Sequence, residues 1–426
     1  MNDIIDSAWL DTALRAARPR AMAALLRFFG NLDTAEEAFQ EACLRALEKW
    51  TENGPPRDPA AWLILVGRNS GIDAARRKTK EKELPDDEHL SDLEDTEPKL
   101  AERLDEAQYR DDILRLLFIC CHPELPATQQ IALALRLVCG LSVKQIARAF
   151  LVSETAMEQR VTRGKNRIGA ANLPFETPGA PERAERLAAV AAVIYLMFNE
   201  GYSATGGEAP LRAQLCEEAI RLARLLLRLF PDEPSIMGLL ALMLLQHARA
   251  RARLDGDGNI VLLEDQDRKL WDPEMIAEGS ALLDKAMRHR RPDSYQVQAA
   301  IAALHARAAR PADTDWAQIE RLYATLERLQ PSPVITLNRA VAISKLRGAA
   351  EALAVIEPLA PQLSNYFYFF GLRGALLLQL RRAREARTAF DRAIALANTA
   401  AEAAHIRMQL DRLMKQSEPG AVDSAE

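Results

Sequence analysis

Hydrophobic residues recur with a helical period through most of the chain. In residues 61–77, AWLILVGRNSGIDAARR, one predicted helix face consists of Trp62, Leu65, Val66, Asn69 and Ile72. Their successive spacings of 3, 1, 3 and 3 residues are those of an amphipathic helix. Basic side chains crowd the outer face and the C-terminal end, namely Arg68, Arg76, Arg77, Lys78, Lys80 and Lys82. Such a helix suits a phosphate backbone, although this segment alone leaves an ordinary solvated basic face equally open.

Residues 33–50, DTAEEAFQEACLRALEKW, form a second amphipathic pattern of opposite charge. The predicted buried stripe consists of Phe39, Cys43, Ala46, Leu47 and Trp50. The outward face carries Glu36, Glu37, Gln40, Glu41, Arg45 and Glu48. Because like charges repel, this face is unsuited to DNA and could instead dock on a basic protein surface. A plain solvated helix face is the alternative.

A helix-turn-helix is predicted for residues 141–168, LSVKQIARAFLVSETAMEQRVTRGKNRI. Ser142 and Gln145 have the spacing of a capping box, and Ser153 is a favourable N-cap for the second helix. The inward positions of that helix are Met157, Val161, Gly164 and Ile168. Many helical hairpins share this pattern, so a purely structural role is the alternative to DNA binding.

The outer face of the second helix has the side chains needed to read DNA in the major groove. Its outward residues are Thr155, Glu158, Gln159, Arg160, Thr162, Arg163, Lys165 and Arg167. Gln159 and Arg160 can make bidentate contacts with base edges. The remaining basic residues, Arg163, Lys165 and Arg167, are expected to hold phosphates.

These three segments, in this order, resemble the sigma-70 superfamily, specifically the extracytoplasmic-function (ECF) group of bacterial RNA polymerase sigma factors. AEEAFQEACLRAL followed by Trp50 resembles region 2.2, which binds polymerase. Residues 61–77 resemble regions 2.3 and 2.4, which melt and read the −10 element, and the helix-turn-helix resembles region 4.2, which reads the −35 element. The resemblance covers about residues 10–170. Glu37 and Ala38 stand where the family usually has Asp and Leu, and Glu158 and Gln159 replace more basic or small residues.

The resemblance implies three sets of site residues. Core RNA polymerase would bind Glu36, Glu37, Gln40, Glu41, Leu44 and Trp50. The −10 DNA would be held by Trp62, Arg68, Asn69, Asp73, Arg76, Arg77, Lys78 and Lys80. The −35 DNA would be held by Thr155, Glu158, Gln159, Arg160, Arg163, Lys165 and Arg167.

The C-terminal half shows an internal repeat. Ala340, Ala352, Ile356 and Leu359 are matched 34 residues later by Gly374, Ala386, Phe390 and Ala393. This period is the tetratricopeptide (TPR) signature, and such repeats stack into a superhelix with a groove. Two alternatives stay open for that groove: it binds a protein or peptide, or the protein's own helices fill it. The segments 116–126, 194–204 and 261–271 also resemble an ECF subgroup with a C-terminal helical extension, which implies that the extension controls activity.

We therefore predict an all-α chain of several domains. Residues 83–97 contain eight acidic residues and no Lys or Arg, which favours a loosely held linker. In the resemblance, this linker threads the basic channels of the polymerase. The predicted domains are a region 2 helical bundle at 8–82, the acidic linker at 83–105, a region 4 helix-turn-helix at 106–172, a TPR-like α-solenoid at 183–416 and a disordered tail at 417–426.

Composition limits where this chain acts. Its net charge is −5 over 426 residues, so the positive charge that could bind DNA is local. The N-terminal residues are interrupted by acids and predict no signal sequence, and the apolar run 236–245 is too short to cross a bilayer. Five irregularly spaced cysteines suggest reduced thiols. We expect a cytoplasmic protein with no membrane partner.

The sequence offers little support for catalysis or for a metal. Cys120, Cys121, His122 and Cys139 lack the spacing of a tetrahedral site, so core packing is the favoured role. Phosphate-loop, nucleophile-triad and zincin motifs are not found, so we predict neither an enzyme nor a cofactor. The predicted function is an alternative sigma factor whose partners are core RNA polymerase, promoter DNA and a protein or peptide at the TPR-like domain.

Two alternatives remain at this point. A stand-alone helix-turn-helix regulator with a peptide-sensing TPR domain would explain the later segments, but not the acidic helix 35–50 or the basic helix 61–77. A hydrolase acting through residues 199–271 is the least favoured.

Overall fold

The described part of the chain is built from α-helices. The computed structural model describes residues 3–79, 106–150, 152–170, 180–202, 209–256, 260–397, 402–404, 406–408 and 410. Among these residues there is no β-sheet, and an isolated antiparallel bridge joins Leu254 to Ile260. The predicted all-α class is confirmed. The predicted linker 83–105 and tail 417–426 lie outside the described residues. The chain divides into two compact units, Met1–Met197 and Phe198–Glu426.

The first unit begins with a three-helix bundle. Its helices are α1 (Asp3–Phe29), α2 (Leu32–Asn53) and α3 (Pro59–Thr79), and each packs against the other two. Asn31 caps α2 by accepting hydrogen bonds from the backbone N–H groups of Asp33 and Thr34 at 2.9 and 3.0 Å. The side chains of Leu25, Phe39 and Leu63 are fully buried at the centre of the bundle.

The buried face of α3 differs from the predicted one. Val66 is buried as expected, but Leu65 and Ile72 are partly exposed and Asn69 is exposed. The helix packs instead through a face that contains its two glycines. A Cβ at Gly67 would lie 3.1 Å from the carbonyl oxygen of Ala38, and a Cβ at Gly71 would overlap the Phe29 ring. A hydrophobicity pattern does not rank glycine as a core residue. Glycine nevertheless allows two helices to approach most closely, because it has no side chain.

The helix-turn-helix prediction is confirmed in the second half of this unit. The helices are α4 (Glu106–Cys120), α5 (Ala127–Leu133), which continues as a π-helical turn (Ala134–Cys139), α6 (Val143–Ala149) and α7 (Glu154–Ala170). The capping box is present, with Gln145 N–H donating to Ser142 Oγ at 3.1 Å and Ser142 N–H donating to Gln145 Oε1 at 2.8 Å. Ser153 Oγ caps α7 at Ala156 N–H.

All four predicted inward residues of α7, Met157, Val161, Gly164 and Ile168, are buried. Gly164 lies against Leu133, where an added Cβ would come within 2.9 Å of that side chain. Helix α7 therefore packs directly on α5. This contact fixes which face of α7 is left for a ligand.

The second unit is a succession of helices. The division at 197/198 falls within α8 (Ala180–Tyr202), whereas the C-terminal domain was predicted to start at 183. The helices that follow are α9 (Ala209–Leu229), α10 (Pro234–His247), α11 (Pro273–Arg288), α12 (Ser294–Arg307), α13 (Trp316–Leu329), α14 (Pro333–Arg347), α15 (Ala349–Ile356), α16 (Phe367–Gln379) and α17 (Ala383–Leu396). Sequential helices from α10 onwards pack on one another.

Three of the four repeat pairs found in the sequence lie in equivalent buried places in the second unit, whereas Leu359 is half-buried in a 3-10 turn and its match Ala393 is buried on α17. Ala340 and Ala352 are fully buried between α14 and α15, and Ala386 and Phe390 are fully buried on α17. Gly374 on α16 packs against the Phe390 ring, and an added Cβ would lie 2.5 Å from that ring. Two neighbouring helix pairs therefore use small residues at their crossings, as the 34-residue period predicts.

Residues 253–256 and 260–272 are part of an excursion between α10 and α11. Arg268 Nη1 donates to the carbonyl oxygens of His305 and Ala308 at 2.6 and 2.8 Å, at the end of α12. Glu264 pairs with Lys345 on α14 at 2.7 Å. These bonds attach the excursion to two later helices of the same unit.

A search of the described helices for one both long and apolar enough to span a lipid bilayer finds none.

Candidate nucleic-acid interface

The recognition helix α7 presents most of its predicted DNA-contacting residues to solvent. Thr155, Glu158, Gln159, Arg163 and Arg167 are exposed, and Arg160 is partly exposed. They share the helix face opposite the residues that pack on α5. The arrangement leaves two potential base-reading side chains and two cations on one accessible surface.

Lys165 is the exception on this helix, because protein carboxylates already hold it. Its Nζ lies 2.7 Å from Asp33 Oδ1 and 2.7 Å from Glu36 Oε2, both on α2. Its side chain is 16% exposed. In this conformation the Lys165 ammonium is paired with the α2 carboxylates, and its contact with a DNA phosphate stays a prediction.

The described part of the predicted −10 surface lies on one stretch of α3. Asn69 is exposed, and the Arg68 guanidinium stacks 4.2 Å above the centroid of the Phe28 ring. Trp62 is partly exposed and packs against Trp50. The last turns of α3 carry Asp73, Arg76, Arg77 and Lys78. Lys80 lies outside the described residues.

The acidic face of α2 is exposed in part. Glu37, Gln40 and Glu41 are exposed, and Leu44 is 57% exposed, as a docking surface requires. Trp50 is not on this surface, because it is 2% exposed and packs edge to face on Trp62 inside the bundle.

Two further expectations about α2 are corrected. Leu47, predicted to be buried, is 47% exposed. Glu36, predicted to point outward, is 5% exposed, because cations from the helix-turn-helix half cover it.

Glu36 is the centre of an ion-pair network. Its Oε1 lies 2.6 Å from Arg136 Nη2 on the π-helical turn, and its Oε2 lies 2.7 Å from Lys165 Nζ on α7. Gln40 Nε2 also donates to Oε1 at 3.4 Å. A carboxylate with little access to water is stable in its charged form only when such partners surround it.

The network changes the proton affinity of Lys165. Burial by itself would lower the pKa of the ammonium, but hydrogen bonds to Asp33 and Glu36, together with the negative charge of both groups, raise the pKa above 10.5. The side chain is therefore a permanent cation at neutral pH. Its charge is matched by the α2 carboxylates.

A cleft of about 310 Å³ opens between α2 and α7 beside this network. Its walls include Glu37 and Gln40 from α2 and Glu158 and Thr162 from α7, with Lys165 between them. The cleft therefore brings together residues assigned by resemblance to polymerase binding and residues assigned to DNA binding. The sequence does not reveal this juxtaposition.

Arg18 on α1 makes a second contact between the two halves of the first unit. Its Nε and Nη2 donate to the carbonyl oxygens of Leu137 and Arg136 at 3.1 and 3.0 Å, at the end of the π-helical turn. Its guanidinium also lies 4.6 Å from the centroid of the Phe39 ring. Burial lowers its pKa from 12.5, and the Glu36 carboxylate opposes that shift.

Asp112 on α4 supplies a third contact. Its side chain is 1% exposed, and its Oδ2 lies 3.1 Å from Arg27 Nη1 on α1. Arg115, one turn further along α4, donates to the other carboxylate oxygen at 3.2 Å. A buried carboxylate held by two arginines fixes α4 against α1.

The residues that sequence reasoning missed are Arg18, Arg27, Asp112 and Arg136. The importance of Arg136 could be recognised from the sequence, because it is the single charged residue in the apolar run IALALRLVCG. A charge in such a run needs a buried partner, but the sequence does not say which carboxylate supplies it.

The cysteines behave as the core-packing interpretation predicts. Cys120, Cys121 and Cys139 are buried. Burial raises the pKa of the Cys121 thiol to about 12, so the thiolate that a metal would need is disfavoured.

Comparison with protein families identifies three matches. Two lie in the first unit, and one spans the boundary between the two units at residues 197 and 198. The family described as "Sigma-70 region 2" matches residues 13–81, and "Sigma-70, region 4" matches residues 115–168. A "Family of unknown function (DUF6596)" matches residues 186–287. The first two matches coincide with the α1–α3 bundle and with the helices from α4 to α7.

Two similar proteins extend the comparison. An uncharacterized protein of Rhizobium meliloti (strain 1021) is 69% identical over 421 residues, which cover 99% of each chain. The ECF RNA polymerase sigma factor EcfG of Rhodopseudomonas palustris (strain TIE-1) is 26% identical over 155 residues, covering 36% of this chain and 80% of the relative. No solved structure matches the chain significantly.

Proposed function

We propose a specific role for this chain, which belongs to the sigma-70 family: it is an alternative sigma factor of the ECF group, regulated by its C-terminal TPR-like domain. It binds core RNA polymerase and directs it to promoters. The observation that carries the proposal is the occurrence, in order, of a region 2 bundle and a region 4 helix-turn-helix whose outer face carries accessible base-reading residues.

Polymerase docking is assigned to the acidic face of α2. The exposed residues Glu37, Gln40, Glu41 and Leu44 combine negative charge with one apolar side chain. Such a surface complements a basic protein face and repels DNA. Glu36 joins this surface once its cationic partners move away, whereas Trp50 supports it from within the bundle.

The −10 element is assigned to α3. Asn69 and Arg68 lie near each other on its accessible side, and Trp62 offers part of an aromatic face. An aromatic or guanidinium plane can stack on an unstacked base of a melted strand. Asp73, Arg76, Arg77, Lys78 and Lys80 complete the proposed set by resemblance.

The −35 element is assigned to α7. Gln159 and Arg160 are the proposed base readers, because amide and guanidinium groups make bidentate contacts in the major groove. Thr155 and Glu158 lie at the N-terminal end, where a recognition helix meets base edges. Arg163 and Arg167 hold phosphates, and Lys165 joins them when it is released from α2.

The second unit is assigned a regulatory role through protein or peptide binding. Its helix pairs have the buried small residues expected of TPR units, and stacked units of this kind form binding grooves. Arg268 and Glu264 bond the excursion between α10 and α11 to the end of α12 and to α14, so part of this surface is covered by the chain itself.

The decisive experiment is reconstitution. Purified chain is mixed with core RNA polymerase and with genomic promoter fragments, and the transcripts are mapped. We expect promoter-specific transcripts that require both proteins. DNA binding that is equally strong without polymerase, with no transcripts, would contradict the proposal and favour a stand-alone regulator. Turnover of a small molecule would favour an enzyme.

A further inference from the structure

We propose that the second unit binds a carboxylate of an acidic peptide through an arginine cluster that consists of Arg249, Arg253 and Arg268. This partner rests on the proposed regulatory role of the unit and gives that role a chemistry. The cluster lies where the end of α10 and the excursion that follows it meet the ends of α8 and α12. All three side chains are partly exposed, so a ligand can reach them from solvent.

Tyr202, the last residue of α8, holds two of the three arginines. Its hydroxyl accepts a hydrogen bond from Arg249 Nη2 at 2.7 Å, and its backbone carbonyl accepts one from Arg253 Nη1 at 2.5 Å. The Arg253 guanidinium also stacks 3.8 Å from the centroid of the Tyr202 ring. One residue therefore fixes the positions of two guanidinium groups.

Arg268 joins the cluster from the excursion. Its guanidinium lies 4.6 Å from the centroid of the Trp271 ring and donates to two carbonyl oxygens at the end of α12. Burial, followed by the positive charge of Arg249, lowers the pKa of Arg268 below 12.5. The charges of Arg249 and Arg268 also act together on the His305 imidazole. Arg249 thus links the Tyr202 pair to Arg268, and three cations contribute to one positive potential.

The positive charge of the cluster is not matched by ion pairs. Within the part of the chain that the structure describes, the three guanidinium groups donate to one hydroxyl and three backbone carbonyls, and none donates to a carboxylate. Asp313, whose charge reaches Arg268, is already held by Arg310 at 2.9 Å. The carbonyls at a helix end supply only about half an elementary charge. Clustered cations repel one another, and a bound anion removes that repulsion.

The cluster keeps hydrogen-bond donors for such an anion. A guanidinium carries several N–H groups in a planar fork, and Arg249 and Arg253 each use one of them in their hydrogen bonds to Tyr202. Trp271 is 5% exposed, and among the described residues its Nε1–H has no acceptor. The Nε–H of Arg268, beside that ring, has none there either. Such donors match the two oxygens of a carboxylate, which arginine binds bidentately.

The surroundings of the cluster favour a peptide with separate carboxylates over nucleic acid. The excursion carries exposed carboxylates at Asp265 and Asp267, which repel a continuous row of phosphates. Two exposed apolar side chains, Leu262 and Leu270, lie on the same segment. A peptide that carries one or two carboxylates between apolar residues complements both features.

An exposed aromatic ring lies within electrostatic reach of the cluster on α16. Tyr368 is 50% exposed, and its hydroxyl donates to Glu402 at 3.2 Å. Burial, followed by the charge of Glu402, raises the pKa of Tyr368 to about 12, whereas the charge of Arg253 acts in the opposite direction. The ring offers a contact for an apolar side chain next to the bound carboxylate.

The first test selects ligands from a library of random short peptides displayed on phage, with the full natural chain as bait. We expect the enriched peptides to carry Asp or Glu beside apolar residues. Synthetic copies are then measured by fluorescence anisotropy, and replacing their carboxylates by amides should weaken binding at least about tenfold. Failure to enrich acidic peptides, or equal binding of the amide copies, would overturn the carboxylate site.

The second test changes the cluster in the full chain. Arg249→Gln should weaken binding of the selected peptide at least about tenfold, since it removes a cation and its planar fork. Arg249→Lys, which keeps the charge alone, should have an intermediate effect. The matched control is Arg251→Gln, at an exposed arginine of the same segment, and it should leave the affinity unchanged. Equal affinities of Arg249→Gln and the natural chain would overturn the site. Thermal unfolding identifies a variant that fails to fold, and the amide copies of the peptide then test the same contact in the natural chain.

Two further measurements separate this site from other outcomes. Duplex DNA of random sequence should bind the natural chain and Arg249→Gln equally, and a loss in the variant would replace the peptide by nucleic acid as the ligand. Promoter-specific transcription by a natural chain that binds no acidic peptide would overturn the site alone. Peptide binding that depends on Arg249, by a chain that directs no transcription, would overturn the proposed function and support the site.

Discussion

Trp50 packs edge to face on Trp62, with the ring centroids 5.3 Å apart and the ring planes at 64°. This pair joins the end of the proposed docking helix α2 to the start of the proposed −10 helix α3. Aromatic pairs in this geometry contribute beyond their buried area. The relative orientation of the two functional helices therefore depends on this aromatic contact.

We predict that Trp50→Ala destabilises the bundle by about 3–5 kcal/mol, because it empties a large buried site. Chemical unfolding followed by circular dichroism measures the loss. Leu47→Ala, on the same helix and largely exposed, is the control and should change stability by no more than about 0.5 kcal/mol. A fully stable Trp50→Ala variant that has lost polymerase binding would instead return Trp50 to the docking surface.

Arg160→Ala should change which −35 sequences are used. A lost bidentate contact costs about 1–3 kcal/mol at one base position and relaxes specificity there. Selection from a randomised −35 library, read by sequencing, gives the profile. Arg163→Ala is the matched charge-removal variant. It should weaken DNA binding evenly across sequences. It should also reduce the slope of the logarithm of the binding constant against the logarithm of the salt concentration by about one unit. Identical profiles for natural chain and Arg160→Ala would refute the base-reading assignment.

Truncation tests the regulatory role of the C-terminal domain. From the subgroup resemblance, we expect the chain ending at residue 175 to transcribe poorly in the reconstituted assay. That cut also removes the part of α8 that belongs to the first unit, where Arg186 lies 6.0 Å from the Phe118 ring centroid. A second chain ending at residue 202 retains this part. Full activity of both truncations would show that the extension is dispensable.

Acid should destabilise the second unit through His305. Burial, followed by the charges of Arg249 and Arg268, lowers the pKa of this imidazole from 6.5 to about 4. The unfolded chain therefore takes up a proton first as pH falls, so stability is full above pH 6.5 and decreases between pH 6.5 and about 4. Thermal unfolding across this range measures the slope.

His305→Gln should flatten that dependence, whereas His289→Gln, at an exposed position, should not. The His305 ring also packs against the Trp316 ring, with the two centroids 5.3 Å apart. Replacement of His305 is therefore expected to lower the melting temperature near neutral pH. An unchanged acid slope in His305→Gln would assign the effect to other groups.

Local signals in the sequence were sufficient for the helix-turn-helix. The capping box at Ser142, the N-cap at Ser153 and the inward residues of α7 act over one or two helical turns, and the structure confirms each of them. The 34-residue repeat likewise predicted buried positions such as Ala352 and Ala386. These features depend on backbone hydrogen bonding and on small residues at neighbouring helix crossings.

The face of α3 was predicted less well. Its helical period was correct, but Leu65 and Ile72 were placed in the core that Gly67 and Gly71 occupy. A hydrophobicity scale ranks glycine below leucine, whereas helix packing at short range requires the absence of a side chain. Only the positions of Ala38 and Phe29 on the neighbouring helices decide between the two faces.

The sequence by itself determined the all-α class, the order of the family segments and the accessible face of α7, because these follow from periodicity and local capping. Tertiary structure alone decided that Glu36 is buried and that Lys165 is paired. Their partners lie about 100 residues or more away along the chain, as the 129-residue separation of Lys165 and Glu36 shows. A charged residue in an apolar run indicates that a partner of opposite charge is needed. Which residue is that partner depends on the tertiary fold, which brings distant parts of the chain together.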